Sequence, residues 1–219
     1  MPFSTPSPAV MRAIRPAIAA VALVAMSLIV AAQEDESGAA RPSAPTLEPF
    51  CVLPESYEMR PDVFVLVPGA RRVGFSLFRE TEIGLEAYTR SELRERNLDW
   101  PTCFTKGCEA ATRVLQTLEP KFYRDGQKTI LYAHLNSENQ LTASVFISPK
   151  FLDLFKNSLG KELYVAVPDR SNVFVFPKLS TSIEAIAPKM AVLYKEALYP
   201  VSREVFEISR DGIRVIGKF

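Results

Sequence analysis

The sequence predicts an α+β fold, a mainly antiparallel sheet built from β-hairpins with helices packed on one face. Two observations support this prediction. Short runs rich in Val, Ile, Phe and Tyr occur in pairs, and the members of a pair are joined by turn-forming residues such as Pro, Gly, Asp and Asn. Between the pairs lie segments in which apolar residues recur every three or four positions, as in an amphipathic helix. Strands joined by tight turns imply antiparallel pairing.

The clearest hairpin lies at residues 160–177, and we expect it at the centre of the sheet. Two apolar runs rich in Val, Phe and Tyr flank the turn sequence Pro-Asp-Arg-Ser-Asn at residues 168–172. Pro168 restricts φ, and the side chains of Asp169 and Asn172 can hydrogen-bond to nearby backbone groups. The flanking residue types suit a pleated, half-buried surface.

The remaining elements follow the same two patterns. The periodicity predicts a helix that ends at Trp100-Pro101, and a later helix that Pro188 kinks or splits. Asp-Gly in the last hairpin is a strong turn signal. Further hairpins are predicted at residues 62–78, 129–147 and 205–216, and helices at residues 80–97, 108–118, 148–160 and 181–197, with Ser91, Ser148 and Thr181 as N-cap residues.

The N-terminal segment, residues 1–32, is predicted to be a secretory signal peptide. Arg12 and Arg15 precede an uncharged apolar run at residues 16–32, and a polar, acidic stretch follows that run. We therefore expect a periplasmic or secreted protein. The alternative is a protein anchored in the inner membrane by an uncleaved helix at residues 14–32, so a membrane is a partner only in that case.

The rest of the chain divides into a linker and one domain. Residues 33–48 are polar, rich in Pro and without periodicity, which predicts a disordered linker. Residues 49–219 are expected to form a single α+β domain. The chain has 26 basic and 25 acidic residues. Because the basic residues are neither in excess nor clustered, no nucleic-acid partner is expected.

The three cysteines, Cys51, Cys103 and Cys108, have two interpretations. In an oxidising compartment we expect one structural disulfide and one odd thiol, and the sequence leaves the pairing open. The other interpretation is a redox-active pair of Cys103 and Cys108. Redox pairs usually have two intervening residues, and here there are four.

No catalytic, cofactor or metal site stands out. His134 is the only histidine and lies in an apolar strand pattern, so it is expected to be a packed residue. One histidine with three scattered cysteines does not have the spacing of a zinc site. The glycine patterns of phosphate loops and dinucleotide-binding folds do not occur in the sequence. The sequence therefore predicts no cofactor and no metal.

Two turns carry the best candidates for a binding surface. Asp169 and Arg170 lie at the tip of the 160–177 hairpin, and Arg71 and Arg72 lie in the turn of the 62–78 hairpin. Loops carry function more often than strands do. If both turns lie at one end of the sheet, they would form a small basic patch for a carboxylate or an acidic partner. The alternative is ordinary turn chemistry with solvated arginines.

Four stretches in the C-terminal part of the chain form a recognisable block: Ser148-Pro-Lys-Phe-Leu, Leu163-Tyr-Val-Ala-Val-Pro-Asp-Arg, Phe174-Val-Phe and Val201-Ser-Arg-Glu-Val-Phe. In these stretches the chain resembles the uncharacterised bacterial YtpQ-like proteins. The resemblance implies a helix before a Val-Pro-x-Arg hairpin and a closing strand that contains Ser. It implies no activity, cofactor or site residue.

Together these patterns predict an exported, non-enzymatic binding or interaction module of the cell envelope. Its partner would be a protein or another envelope component, bound through loops at one end of the sheet. The alternative is a thiol-dependent oxidoreductase that uses Cys103 and Cys108. A reactive thiol would need a depressed pKa, which separates the two hypotheses.

Overall fold

The computed structural model describes residues 50–219 except Arg60 and Leu179. The predicted signal peptide and linker lie outside the described residues. The strands are β1 (Phe50–Ser56), β2 (Phe64–Leu66), β3 (Val73–Thr81), β4 (Gly84–Ala87), β5 (Lys121–Arg124), β6 (Ile130–Asn136), β7 (Leu163–Asp169), β8 (Asn172–Pro177), β9 (Glu204–Ser209) and β10 (Gly212–Lys218). The α-helices are α1 (Arg90–Glu95), α2 (Trp100–Leu115), α3 (Phe151–Phe155) and α4 (Ser182–Glu196). Short 3-10 helices lie at Tyr57–Met59 and Gln140–Ile147.

The strands form two antiparallel sheets. In the smaller sheet the order is β1-β3-β2, and β4 also pairs with β3. In the six-stranded sheet the order is β10-β9-β7-β8-β6-β5. The hairpin predicted at residues 160–177 forms the two central strands, β7 and β8. The predicted α+β class with antiparallel pairing is confirmed.

The six-stranded sheet is covered on both faces. Along β8, Val173 and Val175 belong to the large core shared with the smaller sheet and α2. Phe174 and Phe176 alternate with them and pack in a second cluster with Met190 of α4. The helices are thus not all packed on one face, as the sequence predicts, but are divided between the two faces. The alternating residues of β8 are apolar on both sides, so both faces of the sheet are buried.

The second helix begins earlier than its apolar periodicity suggested. Trp100-Pro101 does not end a helix, because both residues belong to the first turn of α2. The Asp99 side chain accepts a hydrogen bond from the Thr102 N–H at 2.7 Å. Proline lacks an N–H that the first helical turn would leave unpaired, so it fits there. The predicted helix at 80–97 shrinks to α1, with β3 and β4 taking the first part.

Helix α1 is capped by Thr89, not by Ser91. The Thr89 hydroxyl accepts from the Glu92 N–H at 3.2 Å, and the Glu92 carboxylate accepts from the Thr89 N–H at 2.8 Å. The capping box predicted at Thr181 does not form, since the Thr181 side chain makes no capping hydrogen bond. Instead, the Ser182 N–H donates to the Ser180 hydroxyl at 3.0 Å. Helix α4 runs on through Pro188.

The apolar run at residues 141–147 is not a strand. It forms a 3-10 helix whose residues from Leu141 to Ile147 are all buried, and β6 pairs with β5 in its place. The Asn139 side chain caps this helix by accepting from the Leu141 N–H at 2.8 Å. Because the segment is buried all round, apolar periodicity could not distinguish the two structures.

No helix among the described residues is long and apolar enough to span a bilayer.

Candidate functional site

A cleft of about 720 Å³ lies between the turn of the first hairpin and the end of the β9–β10 ribbon. We call it the cationic cleft, because its lining includes four basic residues and one acidic residue, Glu204. Tyr194, Val201, Val215 and Ile216 supply apolar and aromatic surface. The basic residues are Arg71, Arg72, Arg203 and Lys218.

Glu204 holds the first turn, residues 68–72, in place. Its carboxylate accepts hydrogen bonds from the backbone N–H groups of Arg71 at 2.9 Å, Arg72 at 3.2 Å and Val73 at 3.1 Å. Three successive N–H groups form a concave site for an anion. The protein thus uses its own carboxylate to fix the backbone from which two of the basic side chains project.

Gly69 allows the first turn to lie directly against the edge strand β10. The Val215 N–H donates to the Pro68 carbonyl at 2.8 Å. Gly69 has φ +80°, and a Cβ at this position would lie 2.5 Å from the Val215 carbonyl oxygen. Both the backbone conformation and the close approach require glycine. This contact brings Arg71 and Arg72 next to the end of β10.

The basic groups of the cleft are weakly neutralised. Arg72 pairs with Glu58 at 2.7 Å, but both side chains are more than half exposed, so the pair contributes little. Arg203 donates to the main-chain oxygen of Phe219 at 3.0 Å. Among the described residues, no carboxylate forms an ion pair with Arg71 or Lys218. The cleft is therefore electropositive and has an apolar wall.

The second turn, residues 169–172, lines another cavity, of about 280 Å³, which we call the hairpin pocket. Arg170 is buried beside it in an ion pair with Glu55, whose Oε1 accepts from Nε at 3.0 Å and from Nη2 at 2.8 Å. Nη1 donates to Gln140 Oε1 at 3.3 Å. The guanidinium carbon lies 5.1 Å from the Phe78 ring centroid and 4.6 Å from that of Tyr199. Burial raises the pKa of Glu55, against the opposing attraction of Arg170.

The other residues of the second turn form a buried polar chain. Asp169 accepts from the Ser171 N–H at 2.7 Å and, through both carboxylate oxygens, from Asn172 Nδ2 at 2.9 Å. Asn172 Oδ1 in turn accepts from His134 Nε2 at 2.9 Å and from Asn136 Nδ2 at 3.0 Å. These hydrogen bonds join the hairpin turn to β6. They also supply partners for most of the buried polar groups of the turn.

We expect the stability of the protein to depend on pH through His134. Its ring stacks on Phe174 at 4.3 Å, and burial lowers its pKa below the ordinary value of 6.5. Below pH 6.5 the unfolded chain therefore binds a proton before the folded protein does. We expect the free energy of unfolding to fall as the pH drops from 6.5 through the folded-state pKa, by at most about 1.4 kcal/mol per pH unit.

Denaturant unfolding at several pH values checks this expectation by comparing the native protein with His134→Gln. Glutamine retains a hydrogen-bond donor for Asn172 and does not titrate. Since the chain has a single histidine, the difference between the two proteins isolates its contribution. Equal slopes in both proteins would show that His134 does not titrate differently on folding.

The two turns predicted to carry binding residues line separate cavities. Arg71 and Arg72 border the cationic cleft, whereas Asp169 and Arg170 border the hairpin pocket. Arg170 is not a solvated turn residue, because its side chain is 8% exposed and paired with Glu55. The two turns therefore do not form the single basic patch that was expected if they met.

The cysteines lack the features of an activated pair. All three are free. Cys103 and Cys108 lie five residues apart in α2, a rise of about 7.5 Å along a helix axis, which is beyond the Cα separation that a disulfide spans, about 7 Å at most. Burial raises the pKa of both thiols, and raises that of Cys51 to about 11. No group of His, Cys, Asp and Glu side chains that could hold a metal occurs among the described residues.

Four residues of these sites did not stand out in the sequence. Arg203 and Lys218 are isolated basic residues near or within strands, and Glu55 lies in the apolar strand β1. Glu204 follows Arg203 at the start of β9. Of these four residues, only Glu55 has a local sequence signal, because it is a charged residue within an apolar strand pattern. Such a residue is expected to have a buried partner, but the pattern does not show which residue that partner is.

Comparisons with protein-family models, with curated proteins and with solved structures find no match to this chain. The resemblance of the C-terminal part to YtpQ-like proteins therefore stays a prediction.

Proposed function

We propose that this protein is an exported, non-enzymatic binding module of the cell envelope, which holds an acidic segment of a partner protein in the cationic cleft. The observation that carries the proposal is the set of four basic side chains around one cavity, with Glu204 as the single acidic lining residue. Both oxygens of Glu204 already accept backbone N–H groups. A ligand carboxylate would find cationic donors and little competition from the protein's own acids.

The lining of the cleft also favours a partly apolar ligand. Tyr194, Val201 and Val215 border it, and Ile216 is 42% exposed. An acidic peptide with alternating apolar residues would match both the charge and the apolar wall. A small inorganic anion would leave the apolar part of the cleft unused.

A binding role is favoured over the thiol-dependent oxidoreductase. Such an enzyme needs a thiolate at neutral pH, and burial raises the pKa of both Cys103 and Cys108. Export is part of the proposal and rests on the N-terminal sequence pattern. N-terminal sequencing of the mature protein tests it, with a start near Gln33 as the expected result.

A peptide-binding measurement tests whether the cationic cleft holds an acidic segment. The probe is acetyl-Glu-Leu-Glu-Leu-Glu-amide, compared with the neutral peptide in which Gln replaces each Glu. We expect saturable binding of the acidic peptide only, weakening with salt. Arg71→Glu and Lys218→Glu should each reduce the affinity about tenfold or more, because each replaces a favourable charged contact by repulsion.

The matched control is Lys121→Glu on β5, at the opposite edge of the six-stranded sheet from β10. It makes the same change in net charge without touching the cleft. The proposal fails if the native protein does not bind the acidic peptide, or if all three variants lose affinity equally.

A further inference from the structure

Strand β5 and the turn that follows it form a continuous exposed segment, residues 121–129. β5 is the last strand of the six-stranded sheet and pairs with β6, and among the described residues no strand pairs with its other side. Proteins usually place charged side chains on such an edge, yet the two central residues of β5, Phe122 and Tyr123, are aromatic and each is 37% exposed. We call residues 121–129, together with Lys189 of α4, the β5 edge.

The two aromatic side chains lie on opposite faces of the sheet and are held there by other rings. Phe122 contacts Phe155 of α3, with the ring centroids 6.4 Å apart, and Tyr123 stacks on Tyr132 at 4.5 Å. These contacts fix the direction of both rings while a third or more of each stays in solvent. The rim of the sheet therefore presents a fixed apolar surface, to which Tyr123 adds a polar tip.

The β5 edge has a positive charge that the protein itself does not neutralise. Among the described residues, no carboxylate forms an ion pair with any of its basic side chains. The one acid of the segment, Asp125, accepts hydrogen bonds within the turn from the N–H groups of Gln127 and Thr129, each at 2.8 Å. Lys189 Nζ lies 5.9 Å from the centroid of the Tyr123 ring, which places it beside the strand. The basic residues are Lys121, Arg124, Lys128 and Lys189.

Charge and shape favour a lipid surface over the other partners that an edge strand can take. A second copy that paired along β5 would bring Lys121 and Arg124 against basic residues of the other strand, which is unfavourable. A peptide side chain would find no pocket in β5, since neither the cationic cleft nor the hairpin pocket includes one of its residues. A bilayer needs no groove, because phosphate groups attract basic side chains and the headgroup layer accommodates aromatic rings.

We infer that the β5 edge binds the surface of a bilayer that contains anionic phospholipids. Phe122 and Tyr123 would enter the headgroup layer, and the basic side chains around them would contact lipid phosphates. This contact is peripheral. It depends neither on the cationic cleft nor on the N-terminal segment.

Paramagnetic broadening in the NMR spectrum of the ¹⁵N-labelled full chain tests this inference. The protein is mixed with bicelles of phosphatidylcholine alone, or of phosphatidylcholine and phosphatidylglycerol in equal parts, each with a trace of lipid that is spin-labelled at the headgroup. We expect the amide resonances of Phe122, Tyr123 and Lys128 to broaden with the anionic bicelles only, and less so with added salt. Attachment through residues 1–32 would not by itself broaden these resonances, because the readout is local.

Variants separate the charged from the aromatic contribution to the affinity for anionic bicelles. Lys121→Glu and Lys128→Glu should each weaken binding about tenfold or more, since one basic residue near an anionic surface contributes about fivefold and the new acid adds repulsion. Phe122→Ala should weaken binding about threefold or more, because it removes apolar surface from the contact. The matched control is Arg210→Glu, in the exposed turn between β9 and β10 at the opposite edge of the sheet. It makes the same change in net charge and should leave the affinity unchanged.

The inference is wrong if these resonances do not broaden, if both kinds of bicelle broaden them equally, or if Arg210→Glu weakens binding as much as Lys121→Glu. It is also wrong if acetyl-Glu-Leu-Glu-Leu-Glu-amide shifts the Phe122 and Tyr123 resonances while neither bicelle affects them. The partner of the β5 edge would then be an acidic protein segment.

Discussion

Replacement of Arg170 by alanine is expected to lower the free energy of unfolding by about 3–5 kcal/mol, because it leaves a buried carboxylate without its partner. Glu55 is 3% exposed, and Arg170 donates two hydrogen bonds to it. The substitution also removes the contacts of the guanidinium with the rings of Phe78 and Tyr199. Urea unfolding at pH 7, monitored by circular dichroism, measures the effect.

Two controls show that the buried pair is the cause. Arg90→Ala removes an exposed pair with Asp62, at 3.7 Å, and should cost no more than about 1 kcal/mol. The double variant Glu55→Gln, Arg170→Met removes both charges and should recover much of the loss. A loss below about 1 kcal/mol for Arg170→Ala would mean that water reaches Glu55 and that the pair is not buried.

The Glu55–Arg170 pair also makes the stability of the protein depend on pH, and the pKa shift of Glu55 gives the sign of this dependence. The pKa of Glu55 is raised above 4.5 in the folded protein, so folded molecules retain a proton that unfolded molecules have released. The contribution of Glu55 to stability therefore decreases as the pH rises from 4.5 through its folded-state pKa. Without Arg170, the pKa should rise further, because the attraction that opposes burial is lost.

Replacement of Phe174 by alanine should also cost about 3–5 kcal/mol, the usual effect of removing a fully buried aromatic side chain. Phe174 is 0% exposed and lies under α4, where its ring contacts those of Tyr132 and His134. The cavity would admit water to His134, so its pKa should move back towards 6.5. Thermal or urea unfolding measures the first effect, and an NMR titration of the imidazole measures the second.

Phe122→Ala is the matched control, since this ring is 37% exposed on the edge strand β5. We expect a much smaller loss of stability and an unchanged pKa at His134. If Phe174→Ala were tolerated with an unchanged pKa, α4 would not cover this face of the sheet, and the second cluster would not be a packed core.

Local turn chemistry explains which parts of the fold could be predicted. The hairpins at residues 160–177 and 205–216 were recognisable because their turn residues lie between two strand-like runs. The start of α2 is not predictable from the pattern around Pro101, because proline occurs both just after a helix and in the first helical turn. The segment at residues 141–147 was missed because a segment buried on all sides shows no periodicity.

The sites were harder to predict because their partners are far apart in the chain. Arg170 and Glu55 are separated by 115 positions, and Arg71 and Glu204 by 133. In each pair one residue belongs to the smaller sheet or its turn and the other to the six-stranded sheet. Only the packing of the two sheets brings them together, and no local sequence pattern encodes that packing. The sequence therefore marked the turns with Arg71, Arg72, Asp169 and Arg170, but it could not show that Arg170 is buried and that the two turns line different cavities.

An NMR titration of the ¹⁵N-labelled protein with the acidic peptide tests the central claim most directly. Gly69, in the first turn, and Gly217, in β10, both line the cationic cleft, so their amide resonances report on binding there. The account predicts saturable shifts of both, which fade with added salt and are absent with the neutral peptide. Shifts concentrated on β5 or α2, or no saturable shift at either glycine, would contradict it.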